Sequence, residues 1–278
     1  MAQTAKLSDT QRARGSPWRI LRITVLLLVL VVTGLSTWLT KMRTASWQRP
    51  LWVAIYPINA DGTEVSSRYV TKLDPSAFAA IDAFFTREGA RYSVSLRHPV
   101  EAHLYAPILE LPPALPQTLD ALTTMLWSLK LRIWAWRVTR GRDEATPDVK
   151  VFVLYHDPQL TQSVPHSLGL EKGMLGVVYA FAADRATASN DIVITHELMH
   201  TLGASDKYDP GNDEPSYPDG YADPDRKPLT PQSRAEVMAG RMMLSPTTWD
   251  MPDSLNASVI GPKSAREINW NHAVRADP

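Results

Sequence analysis

The chain has no cysteine among its 278 residues. That excludes disulfide scaffolds, thiol nucleophiles, cysteine-ligated zinc and any cysteine-based latency switch, while leaving the cellular compartment open. It also lacks net charge, with 29 basic and 29 acidic side chains. The balance is uneven along the chain. Residues 1–46 carry seven Lys/Arg against Asp9 alone, so the remainder is net acidic. The only basic cluster flanks an apolar segment, so no nucleic-acid partner is expected. A hydrophobic content of 44% with 21% charged residues describes a globular chain rather than a disordered one.

Ile23 to Thr40 is a run of eighteen residues without a charge. Extended to Trp18, it satisfies the length criterion for a membrane-spanning helix, with Trp18 and Trp38 near the two interfaces. The expected organisation is a basic tail over 1–17, a transmembrane signal anchor over 18–40, a linker over 41–50 and a folded domain over 51–278. Five basic residues precede the run, so a cytoplasmic N-terminus is expected, with the domain on the outer (periplasmic or extracellular) side.

Within the domain, Leu51 to Tyr56 reads as a first strand ended by Pro57. Residues 75–88 read as a helix stopped at Gly89, with Asp82 facing solvent. Val94 to Tyr105 can hold a short strand. Leu119, Leu122, Leu126, Leu129, Ile133 and Trp136 recur at helical spacing, which predicts a packed helix over 118–140. Its Trp127, Trp134 and Trp136 could alternatively rest on a membrane surface. Val149 to Tyr155 and Gly173 to Phe181 read as buried strands. The second, just before the principal motif, is a candidate for pairing with an extended peptide. The fold class implied is α+β.

The chemistry concentrates in His196-Glu197-Leu198-Met199-His200-Thr201-Leu202-Gly203-Ala204-Ser205-Asp206. On a helix, histidines four apart lie about 40° from each other around the axis, so both rings can reach one metal ion. Glu197 is placed to act on a metal-bound water rather than to bind the metal. Gly203 can end the helix in a left-handed conformation and return Asp206 to the metal. The ligand set predicted for Zn2+ is therefore His196, His200 and Asp206, with Glu197 as general base.

This H-E-x-x-H-x-x-G-x-x-D pattern resembles the metzincin metallopeptidases, and the aspartate in third place is most similar to the snapalysin branch. Glu236-Val237-Met238-Ala239-Gly240 resembles the Met-turn of that group, and Tyr208 resembles a tyrosine that donates to the oxyanion. The resemblance covers about residues 174–245. It implies a zincin-like domain with a mixed sheet, an active-site helix and a Met-turn, and a protein or peptide substrate. A more distant third ligand, Glu214, Glu236 or Glu267, would instead make the site gluzincin-like. The acidic loop from Asp209 to Asp225 could hold Ca2+, because hard cations take clustered carboxylates. Hydrolysis of a non-peptide amide, or a non-catalytic zinc-stabilised binding domain, are the competing functions.

Overall fold

A computed structural model of the chain describes residues 18, 21–24, 27–28, 46–116, 120–141, 146–165, 167–170 and 174–270. The chain separates into two units, 1–42 and 43–278. Of the first, the described residues Trp18, Leu21 to Thr24, Leu27 and Leu28 are helical. Among the described residues no helix is long and apolar enough to cross a membrane. This corrects the transmembrane anchor expected over 18–40 and, with it, the assignment of the domain to the outer side of a membrane. An uncharged run meets a length criterion, but a span needs one continuous helix of that length. The tail over 1–17, most of 18–40 and residues 41–45 lie outside the described residues, as do His166, Gly173 and His272.

The second unit is built on a five-stranded mixed sheet. In chain order its elements are β1 (Leu51–Asn59), α1 (Glu64–Lys72), α2 (Ala79–Arg91), β2 (Val100–Leu104), α3 (Ala121–Thr139), β3 (Val149–His156), β4 (Leu168–Leu170), β5 (Leu175–Phe181) and α4 (Thr187–Thr201). The short β6 (Ala235–Glu236), β7 (Met242–Ser245), β8 (Thr248–Asp250), β9 (Ser258–Val259) and α5 (Pro262–Glu267) complete it. The strand order is β2-β1-β3-β5-β4, parallel throughout except for β4, which runs antiparallel to β5. The α+β class with a mixed sheet is therefore as expected.

The central strands are apolar on both faces because helices cover both. Val53, Ile55, Val151, Val153, Tyr155 and Val178 pack with α2, α4 and the C-terminal segment. Ala54, Tyr56, Phe152, Leu154 and Val177 pack against α3. Strand β1 does not stop at Pro57. Pro57 pairs with Val153 on β3, while its carbonyl faces past the end of β2 and accepts from Ile108 N at 3.0 Å, so the missing N–H costs no ladder bond.

Four further expectations change. Helix α2 runs through Gly89, where a Cβ would lie 2.8 Å from Pro99 Cγ; the glycine permits a close approach rather than ending the helix. Asp82 does not simply face solvent but accepts from Ala102 N at 2.8 Å. On α3 the apolar series is the outer one: Leu122, Leu126, Leu129, Ile133 and Trp136 are exposed, whereas Trp127, Leu131 and Trp134 are buried against the sheet. Apolar on nearly every side, this helix gives its periodicity no power to choose a face. Trp47, counted in the linker, is also buried, its indole donating to Ile268 O at 2.7 Å.

Candidate metal centre

Helix α4 carries His196, Glu197 and His200 on one side, and their ligating atoms lie within 4.8 Å of one another. Gly203 follows with φ +102, turning the chain so that Asp206 returns to the same face. The three expected ligands meet in a triangle. His196 Nε2 and His200 Nε2 are each 3.1 Å from Asp206 Oδ1, and 3.1 Å from each other.

The other ring nitrogens decide what that triangle is. His196 Nδ1 lies 3.0 Å from the Val237 carbonyl and His200 Nδ1 lies 2.8 Å from the Ala204 carbonyl. A carbonyl oxygen only accepts, so both Nδ1 atoms donate and carry the protons. In the neutral rings both Nε2 atoms are then acceptors, aimed at each other and at a carboxylate that also only accepts. Three lone pairs converge with no donor among them, and a cation is the partner such a set requires. The donor set suits zinc, whose bonds of ~2.0–2.1 Å to nitrogen and oxygen make a tetrahedral edge of about 3.3 Å. Burial pushes the Asp206 carboxyl up; where protons on the Nε2 atoms take the cation's place, the hydrogen bonds and charge of His196 and His200 outweigh it and hold the carboxyl well below the usual range.

Glu197 is buried, and its Oε2 has no hydrogen-bond partner. Burial raises its pKa, against the opposing charge of the two histidines and the backbone of Gly169. Gly169 sits on β4, directly over the helix: a Cβ there would lie 2.4 Å from Glu197 O and 2.6 Å from His200 Cβ. The sheet's end strand therefore forms one wall of the site. Strand β5, flanked by β3 and β4, has no free edge for the strand pairing expected of it.

The turn bearing Met238 reaches the site through backbone, by the Val237 carbonyl that accepts from His196 Nδ1. Glu236, fully buried, takes Met238 N at 2.6 Å and Ala239 N at 3.0 Å on Oε2, and Gly261 N at 3.0 Å on Oε1. That clamp fixes the peptide whose Val237 carbonyl orients His196. Met238 itself is buried, and its carbonyl accepts from Lys207 N. Buried Lys207 donates to Glu267 at 2.7 Å, and Glu267 also takes Ser205 N at 3.0 Å, locking the segment that bears Asp206. Glu236 and Glu267 are thus committed elsewhere, and Glu214 hydrogen-bonds Asn212. None of the three alternative ligands joins the triangle. Sequence reasoning had no means of assigning Gly169, Glu267 and Lys207, whose partners lie up to 62 residues away.

Tyr208 stands beside His196, ring centroids 6.3 Å apart, and lines both cavities of the cleft. One, of about 450 Å³, runs along Leu168, Gly169 and the three ligands. The other, of about 270 Å³, extends past Ile192, Val193 and Met251. The acidic loop brings no carboxylate cluster together among the described residues: Asp213 pairs with Arg241 and Asp219 with Lys263, each at 2.9 Å.

No protein-family model matches the chain, and no curated protein matches it. A solved structure described as "Structure of a chaperone-substrate complex" is similar at 13% identity, with a TM-score of 0.37. The likeness covers 80% of this chain and 34% of that one, so the chain spans about a third of its length. At that TM-score it bears on neither fold nor function.

Proposed function

We propose that the chain is a zinc-dependent metallopeptidase of the metzincin kind. The observation that supports it is the triangle of His196 Nε2, His200 Nε2 and Asp206 Oδ1, all acceptors, beside a buried carboxylate with one unpartnered oxygen. When bound, zinc supplies a Lewis acid that polarises a carbonyl and brings the pKa of a water towards ~7.

The chain's own residues supply the rest. His196, His200 and Asp206 hold the ion. Glu197 takes a proton from the attacking water at Oε2 and returns it to the leaving amine nitrogen; its raised pKa suits a group that must do both. Tyr208 donates its hydroxyl to the carbonyl oxygen as charge develops there. An extended peptide adds to the outer edge of β4, and the cavity beside Ile192, Val193 and Met251 takes an apolar side chain.

The test combines metal analysis with peptide-library digestion by the full chain. Glu197→Gln is expected to retain one zinc per chain and lose activity by ~10²–10⁴-fold. Asp206→Ala is expected to lose the zinc. Folded protein without stoichiometric zinc would overturn the proposal, as would an undiminished rate in Glu197→Gln. Cleavage of non-peptide amides alone would overturn the substrate class.

A further inference from the structure

The N-terminal half of α4 walls a separate cavity, of about 160 Å³, which shares no lining residue with the cleft. Asp191 lines it. This carboxyl is 5% exposed and has no hydrogen bond or ion pair among the described residues. It belongs to no part of the metal centre. Its oxygens are not sealed in the interior, so they open onto the cavity, where a cation would replace the hydration that burial curtails.

The surroundings indicate what would pair with it. Tyr69 and Tyr155, rings 5.0 Å apart, and Phe78 make the walls aromatic. Aromatic faces and a carboxylate both attract cations, and neither discriminates in favour of a neutral or anionic guest. At the rim the charge of Lys72 is occupied by Asp184, at 2.8 Å. Three acids, Asp74, Asp184 and Asp191, line the cavity against that one lysine. The volume is close to that of a cavity that holds benzene, so the guest has about six heavy atoms.

We propose that this cavity is a binding site for a small organic ammonium group, held by the Asp191 carboxylate against the faces of Tyr69 and Tyr155. Binding requires Asp191 to be ionised, and burial raises its pKa to about 7. The other groups facing it are Tyr69 and Lys72 on α1, Asp74 after α1, Tyr155 on β3, and Asp184 just before α4. Burial moves Tyr155 further above neutrality, the Asp184 hydrogen bond does the same for Lys72, and Ser76 holds Asp74 low. Affinity should therefore fall as the pH drops below about 7.

Isothermal titration of the full chain with tetramethylammonium chloride, against the neutral isostere tert-butanol, tests this with no reference to peptidase activity. At pH about 8.5 the cation should bind at least about tenfold more tightly than the alcohol; that preference should vanish at about pH 5.5. Asp191→Asn, matched in shape, should abolish the preference. Tyr69→Leu, which keeps the carboxylate, should weaken cation binding by about threefold or more. Equal affinity for the two probes, or a preference that survives in folded Asp191→Asn or at low pH, would overturn the proposal. The pH comparison on the unaltered chain decides the matter even if a variant fails to fold.

Discussion

Glu236→Gln isolates the element that holds the metal centre from behind. The carboxylate serves three backbone amides, two on Oε2 and one on Oε1. Glutamine has one acceptor oxygen. Its lowest-cost placement keeps the oxygen on Met238 N and Ala239 N and turns the NH₂ towards Gly261 N, where two donors then face each other. One hydrogen bond is lost and a buried donor is orphaned, about 2–4 kcal/mol together. For a domain of this size that lowers the melting temperature by about 5–15 °C. The side chain also fixes the peptide bearing the Val237 carbonyl, which holds the His196 tautomer. Loss of such an outer partner typically weakens metal binding by about 10–100-fold. Thermal unfolding of the metal-free chain and zinc competition with a chromogenic chelator measure the two effects separately. Unchanged melting and unchanged zinc affinity in Glu236→Gln would refute the reasoning. A loss of stability with zinc affinity intact would show that the turn does not orient His196.

Two further perturbations probe other parts of the structure. Gly169→Ala must push β4 off the helix by roughly 0.8 Å to relieve the contact with Glu197 O, a displacement expected to cost about 1–3 kcal/mol. If β4 positions substrate, kcat/KM should fall by at least about tenfold, since misplacement near 1 Å can cost ~10²-fold; an unimpaired enzyme would remove β4 from the substrate path. Asp61 accepts Asp157 N at 2.6 Å and Thr63 N at 3.0 Å. Burial acts to raise its pKa, but these hydrogen bonds outweigh it and lower the value from 3.8 to about 2. Its folded-state pKa lies below the unfolded one, so its contribution is complete above about pH 4 and disappears as the pH falls through about 2. Asp61→Asn should flatten that part of the acid unfolding curve, and an unaltered curve would count against the assignment.

What the sequence could say about the site it said through spacing. His196, His200, Gly203 and Asp206 lie within eleven residues, and helix geometry plus one left-handed turn is enough to bring them together. Strands β1, β3 and β5 were legible for the same local reason, as apolar, β-branched runs, whereas the three-residue β4 left no such signal. Pro57 and Gly89 were misread because their usual meaning as stops yields when the missing N–H has no partner to lose, or when a neighbour needs the space. The face of α3 was misread because that helix is apolar on nearly every side.

The sequence by itself determined the candidate ligand types and their spacing, two on one helix and one just after its turn, since these depend on contacts within three turns of chain. The tertiary structure alone decided the rest. It set the His196 tautomer through Val237, put β4 rather than β5 at the open edge of the sheet, committed Glu236 to backbone amides and Glu267 to Lys207, and left Asp191 buried beside aromatic rings. Each of these depends on groups that folding brings together from distant parts of the chain. Whether a buried polar atom is satisfied is a property of three-dimensional neighbours, which periodicity along one chain does not encode.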